Sequence, residues 1–321
     1  MQGKIKVLFI AGTGRNGSTL LGNILGQIEG FTNVGELLDI GLNFAPGRPP
    51  CGCGVPLEAC DVWKGVLSEV FRTAEPGFVA RMHRLRLVET LFPELPSLLL
   101  SPTTRKLEER LASTREDIER LYRAIQQVCK SRVIIDSSKQ PIYLHILQSI
   151  DAIDLHVVHL IRDPRALAFA YQHRIEREGY VLHMSPPRAA FHWIRRNLAI
   201  ELLSRGTERK PLRVRFKELI GNPQETVAKI VEFTNEIVSA SPFDGERVVN
   251  LRPLHTVAGN PNRFVTGRIE IRNNEQWSSA MSPLSKTAVA SATWPLLLRY
   301  GFPLRTWHSE HKQSGNAALA A

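Results

Sequence analysis

Several things are scarce in this chain, and each scarcity narrows what it does. Among 321 residues no apolar run reaches the ~18 residues of a membrane-crossing helix, so no span is expected. There are only four cysteines, too few at this length for a disulfide scaffold. That points to a reducing, cytoplasmic setting. No internal repeat is present, which argues against a solenoid or propeller. The net charge of +10 and pI near 9.7 suit a small polyanion, a nucleic acid or an acidic surface alike. However, the Lys and Arg residues are dispersed and form no block of the nucleic-acid type, so no nucleic-acid partner is expected. The hydrophobic share of 43% is enough for a large core.

One more absence bears on chemistry. Residues 12–19 read Gly-Thr-Gly-Arg-Asn-Gly-Ser-Thr, directly after the apolar run Val7-Leu8-Phe9-Ile10. The frame Gly12-x-x-x-x-Gly17 with Thr19 is nearly a Walker A loop, but Ser18 stands where its Lys should be and the cation is Arg15. The Walker Lys neutralises the β/γ-phosphates of a nucleoside triphosphate, so this loop is expected to bind a different anion. A strand that ends in such a turn and opens a helix aims backbone N–H groups and the positive end of the helix dipole at one spot. Gly14 and Gly17 permit close backbone approach, Ser18 and Thr19 add hydroxyls, and Arg15 adds a forked guanidinium. Leu20, Leu21, Ile24, Leu25 and Ile28 form the apolar stripe of the helix that follows.

Further along, 132–136 and 155–161 read as short buried strands, and 212–216 as another. Asp163-Pro164 opens a helix with Asp as cap and Pro at its first position. Ser113-Thr114-Arg115-Glu116 reads as a capping box before a helix. Helices are predicted over 186–205, 223–237 and 284–299, with 240–280 rich in loops. Residues 34–37 read as loop. Strands alternating with helices imply an α/β fold, a parallel sheet covered on both faces. Ligands bind such sheets at the carboxyl ends of the strands, where 12–19, 136–141 and 162–170 all fall.

Three segments together resemble the sulfotransferases that use 3′-phosphoadenosine 5′-phosphosulfate (PAPS). Arg15-Asn16-Gly17-Ser18-Thr19 is similar to that family's 5′-phosphosulfate loop. Leu160-Ile161-Arg162-Asp163-Pro164-Arg165-Ala166 is similar to its 3′-phosphate segment, and Asp136-Ser137-Ser138-Lys139-Gln140-Pro141 to the strand end before the acceptor site. The Cys-rich segment from Cys51 to Trp63 and the late Gly259-Asn260-Pro261-Asn262-Arg263-Phe264 also resemble bacterial members. The resemblance implies a P-loop-like three-layer sulfotransferase domain over 1–308. Within it 40–130 is a helical and Cys-loop insertion shaping the acceptor site, and a disordered tail follows over 309–321.

The activity implied is sulfuryl transfer from PAPS to a hydroxyl or amine of a small-molecule, lipid or glycan acceptor, with no metal required. Arg15 and the amides of 16–19 would hold the 5′-phosphosulfate and Arg162 the 3′-phosphate. Asn260 and Arg263 would close over the nucleotide. Glu36, in a Gly35-Glu36 context, would be the base, and Lys139 would stabilise the bridging oxygen. The chain departs from the family pattern at Ala170, where a Ser commonly shares the 3′-phosphate; Arg165, Arg263 or Arg268 could replace it. His173 and Arg174 could face the cleft, and His255 could touch nucleotide or acceptor. Leu91, Phe92, Leu98–Leu100, Tyr180 and Met184 are candidates for an apolar acceptor wall.

Cys51, Cys53 and Cys60 read as packed free thiols, a disulfide, or three zinc ligands awaiting a fourth such as Cys129 or a His. His156 and His159 fall on opposite faces of a strand and read as satisfied core residues. Trp193 and Trp277 read as packing residues, and the arginines at 81–86 and 195–196 as solvated helix faces. Two other functions compete with sulfuryl transfer: a P-loop kinase or other nucleotide phosphotransferase, and a non-catalytic nucleotide-binding protein.

Overall fold

A computed structural model describes residues 3–42, 48–73, 77–91, 103–172, 175–177, 180–273 and 275–304. Phe92, Leu98–Leu100, His173, Arg174 and the tail 309–321 lie outside them, as do the side chains of Leu91 and Tyr180.

The centre is a five-stranded sheet made of β1 (Ile5–Gly12), β2 (Phe31–Gly35), β3 (Val133–Lys139), β4 (Ile153–Ile161) and a short strand Leu212–Arg215. Every neighbouring pair is parallel. In space β2 and β3 lie to one side of β1, with β4 and then Leu212–Arg215 on the other. The chain therefore reverses direction of travel at β1, the kind of switch point where α/β sheets bind ligands.

Both faces of the sheet are buried, as the near-continuous apolar strands require. The alternation along β1 shows how. Ile5, Val7, Phe9 and Ala11 join one core cluster with Trp63, Leu121, Ile125 and Leu144. Leu8 and Ile10 join the other with Leu21, Ile24, Leu219 and Ile230. The first face is covered by α2 (Asp61–Thr73), α3 (Phe78–Leu91), α4 (Thr103–Cys129) and α5 (Pro141–Gln148), and the second by α1 (Ser18–Leu25) and helices over Phe216–Gly221 and Pro223–Phe233. A third cluster, around Ile161, Leu167, Trp193 and Leu297, joins α6 (Pro164–Gln172), α7 (Pro186–Leu203) and the last helix, Pro283–Arg299. Met184 packs, partly buried, against this cluster.

The parallel α/β architecture stands as read, with differences in detail. Val34 and Gly35, read as part of a loop over 34–37, close the edge strand β2, which pairs with β3. The stretch 240–280 contains a three-stranded antiparallel sheet, Phe243–Gly245, Val248–Leu251 and Gly267–Glu270. The Ser113–Glu116 pattern is not a helix start: α4 runs through it without a break. Strong helix formers upstream, Lys106, Glu108, Glu109, Arg110 and Leu111, keep the backbone helical. One turn on, buried Asp117 holds Arg81 of α3 at 2.5 Å.

Candidate active site

Each strand of the sheet delivers a residue to its carboxyl edge: Arg15 after β1, Glu36 after β2, Lys139 at the end of β3, Arg162 after β4 and Phe216 after Leu212–Arg215.

The anion loop is held by its own side chains. Asn16 is fully buried; its Nδ2 donates to the Leu160 carbonyl at 3.0 Å, and its Oδ1 accepts from the Ser18 N–H at 3.1 Å. Asn16 thus builds the loop with its side chain, and the Ser18 amide is spent inside the turn. Gly17 caps α1 at φ 94°, and a Cβ there would stand 2.2 Å from the Phe216 ring, so only glycine fits. A Cβ on Gly14 would meet the Tyr171 hydroxyl at 2.5 Å.

Arg162 reaches under this loop. Its Nη1 donates to the Arg15 carbonyl at 2.9 Å, its guanidinium lies 4.8 Å from the Phe216 ring centroid, and Trp193 Nε1 donates to its carbonyl at 2.9 Å. Burial and then the neighbouring charge of Arg15 push the Arg162 pKa down to about 10. Arg162 is thus a buried cation close to a second one, Arg15, at the start of α1, where the helix dipole already favours an anion.

The second half of the site is an ion pair. Lys139 Nζ lies 2.8 Å from Glu36 Oε1, with both side chains largely buried; Lys139 also donates to the Ser137 carbonyl at 2.7 Å. The turn that aims Lys139 is built by Asp136. Its Oδ1 accepts from the Ser138 N–H at 2.7 Å and its Oδ2 from the Tyr122 hydroxyl at 2.6 Å. Burial pushes the Asp136 carboxyl up to about 6, against the pull of these donors. Ser138 Oγ accepts from the Leu38 N–H at 3.0 Å, which ties the Lys139 turn to the segment carrying Glu36. Tyr122 has no signature a single sequence could reveal, because its hydroxyl arrives from α4, fourteen residues upstream of Asp136.

A strap over 254–264 closes one side. The Glu36 N–H donates to the Ala258 carbonyl at 3.2 Å, and a Cβ on Gly259 would be 3.9 Å from Thr19 Oγ1 and 4.0 Å from Glu36 Oε1. Asn260 therefore sits beside the anion loop, its side chain capping the turn at Asn262 N with 3.1 Å. Arg263 is buried and donates to the carbonyls of Pro50, at 2.9 Å, and Val257, at 3.3 Å, so in this structure it fastens the strap.

Among the residues considered as substitutes for the missing Ser at 170, Arg165 is committed elsewhere: it grips Asp163 and donates to Pro303 and Leu304, over the Trp277 ring. Arg268 is exposed on the small antiparallel sheet. His156 and His159 are satisfied core residues, bonded to the Phe233 carbonyl at 2.8 Å and Asn197 Oδ1 at 2.7 Å. The arginines read as solvated are not simply so. Arg81 grips Asp117, Arg86 pairs with Asp39 at 2.6 Å, and Arg196 bonds Gln140; each draws a helix against the site's supports. No helix among the described residues is long and apolar enough to cross a membrane.

Comparison with known proteins identifies the family. The Sulfotransferase family model matches residues 8–238, which hold the anion loop, Glu36, Lys139 and Arg162. Two solved structures share the fold. The sulfotransferase domain of the Synechococcus PCC 7002 olefin synthase is 20% identical with a TM-score of 0.51, over 95% of this chain and 98% of that one. The sulfotransferase domain of the curacin biosynthetic pathway is 15% identical with a TM-score of 0.50, over 94% and 99%. A search of the curated proteins found none that matches in sequence. With more than half of its length matched by the family model, the chain belongs to the Sulfotransferase family.

Proposed function

We propose that this chain transfers a sulfuryl group from PAPS to a hydroxyl or amine of a small-molecule, lipid or glycan acceptor. The observation that carries this reading is the meeting of Arg15 and Arg162 at the start of α1, beside the Glu36–Lys139 pair. The residues present fit a nucleotide with two anionic ends: two arginines approach each other, a helix opens there, and the glycine cradle of the loop admits a ligand close to the backbone.

When bound, PAPS supplies the sulfuryl group on a phosphate leaving group. The loop 14–19 with Arg15 holds the phosphosulfate end, Arg162 holds the 3′-phosphate, and Asn260 and Arg263 frame the nucleotide edge. Glu36 accepts the proton of the acceptor hydroxyl, for which it must come within hydrogen-bond reach of that group. Lys139 neutralises negative charge developing on the bridging oxygen, an effect worth about 3 kcal/mol per well-placed donor in a water-excluded site. Without ligands these two neutralise each other, so binding has to part them.

Thermal stabilisation of the purified chain tests the donor assignment, because a ligand that binds the folded state raises its stability by mass action. The ligand is 3′-phosphoadenosine 5′-phosphate (PAP), with ATP-Mg²⁺, AMP and sulfate as controls. Selective stabilisation by PAP is expected. Stabilisation by ATP-Mg²⁺ and not by PAP would show a phosphotransferase instead.

A further inference from the structure

The three cysteines of the loop before α2 meet a histidine from the strap. Cys51, Cys53, Cys60 and His255 each offer a ligand atom, and these atoms all lie within 4.8 Å of one another. Cys53 Sγ and Cys60 Sγ are 3.8 Å apart, and Cys60 Sγ is 3.2 Å from His255 Nδ1. A tetrahedral zinc with Zn–S near 2.3 Å and Zn–N near 2.0 Å requires edges of about 3.8 Å between sulfurs and about 3.5 Å from sulfur to nitrogen. A disulfide would need a separation of about 2.05 Å, and all four cysteines of the chain are free thiols.

The surroundings are built for a fixed cluster. Cys51 and Cys60 are buried. A tight turn closes on Cys51, whose N–H donates to the Val55 carbonyl and whose carbonyl accepts from the Gly54 N–H, both at 2.8 Å. Cys60 immediately precedes α2. The His255 backbone is anchored by Trp63 Nε1, which donates to its carbonyl at 2.9 Å, and Gly52 N–H donates to the Thr256 carbonyl at 2.9 Å.

We propose that Cys51, Cys53, Cys60 and His255 form a structural zinc site that staples the loop before α2 to the 254–264 strap. Four protein ligands complete the tetrahedron and leave no open position for water, which makes the site structural rather than catalytic. Its consequence for the anion loop is mechanical. From His255 the strap runs through Val257, whose N–H donates to the Val34 carbonyl at 2.9 Å, to Ala258, which receives the Glu36 N–H. The metal would thus set the register of the segment beside Glu36 and Thr19.

The test is the metal content of the full chain, purified tag-free without chelator, by mass spectrometry of the metals. About one zinc per chain is expected, with Co²⁺ replacing it to give thiolate charge-transfer and tetrahedral ligand-field bands. His255→Gln and Cys60→Ser should each lose the metal, and Cys129→Ser should keep it. Stripping with a strong chelator should lower the unfolding temperature by several degrees, since structural metal binding is folding free energy. If Cys60→Ser fails to fold, the wild-type zinc content, the cobalt spectrum and His255→Gln decide alone. A metal-free wild type that titrates as four free thiols or shows a cystine by intact mass overturns the proposal, as does zinc retained in His255→Gln.

Discussion

Arg15 and Lys139 share an uncommon backbone state. Both sit in the left-handed region, at φ 64° and 65°, where side chains other than glycine, Asn and Asp rarely rest. Such strain persists where the surroundings over-determine it, and it gathers at functional sites. Here Arg15 is held by the Arg162 bond to its carbonyl, and Lys139 by the Asp136 turn. Arg15→Ala and Arg162→Ala are each expected to weaken PAP binding tenfold or more, about 1.4 kcal/mol, by calorimetry; unchanged affinity in both would sink the assignment of the anion site. Glu36→Gln should leave PAP affinity within about threefold while lowering turnover about 100-fold or more, the usual contribution of a general base. Wild-type turnover in that variant would remove Glu36 from the role.

At the scale of elements, the site depends on packing between segments distant in sequence. Gly17→Ala would drive a methyl into the Phe216 ring, so PAP affinity should fall, and Phe216→Leu in the same chain should restore part of it. If Gly17→Ala binds PAP as wild type does, the loop has more room than its geometry implies. Behind the site, Arg81 and Asp117 join α3 to α4 with Asp117 fully buried. Removing one partner of a buried ion pair leaves an uncompensated charge, so Asp117→Ala should cost about 3 kcal/mol of stability, measurable by chemical denaturation. Elements are also where local sequence patterns carry least information. The strand β2 is five residues, Phe-Thr-Asn-Val-Gly, whose polar members resemble a loop until β3 pairs with them. The Ser113–Glu116 signature is locally identical whether it opens a helix or sits inside one.

For the whole molecule, histidines shielded from water are expected to set the acid limit of stability. Burial pushes His159 down to about 4 and His192 down to about 3, and it also lowers His156. Their folded-state values lie below the unfolded value, so the unfolded chain binds more protons as pH falls, and stability present above about pH 6.5 is lost progressively toward pH 4. Asp136 acts in the opposite sense: raised to about 6, it gains stability as pH falls from 6 toward 3.8. The histidines outnumber it, so the fold should weaken on acidification. For His159→Gln the loss between pH 7 and pH 5 should be about 2 kcal/mol smaller than in wild type, read from denaturant titrations at the two pH values. An equal loss in both proteins would place the acid sensitivity elsewhere.

The sequence by itself determined the class of fold, the anion loop and the family likeness. Those signals are local: a glycine frame after an apolar run, strand ends followed by Arg162-Asp163-Pro164, and the order of the motifs. It could name Glu36 and Lys139 only through resemblance, and it left the cysteines open among three readings. The tertiary structure alone brought Lys139 to 2.8 Å from Glu36, turned Arg263 onto Pro50, and chose His255 over Cys129 as the companion of three thiols. Each of these is a contact between segments scores of residues apart. Such contacts follow from how the strands order in the sheet and how the loops cross its edge, which hydrophobic burial settles for the chain as a whole and no local pattern encodes.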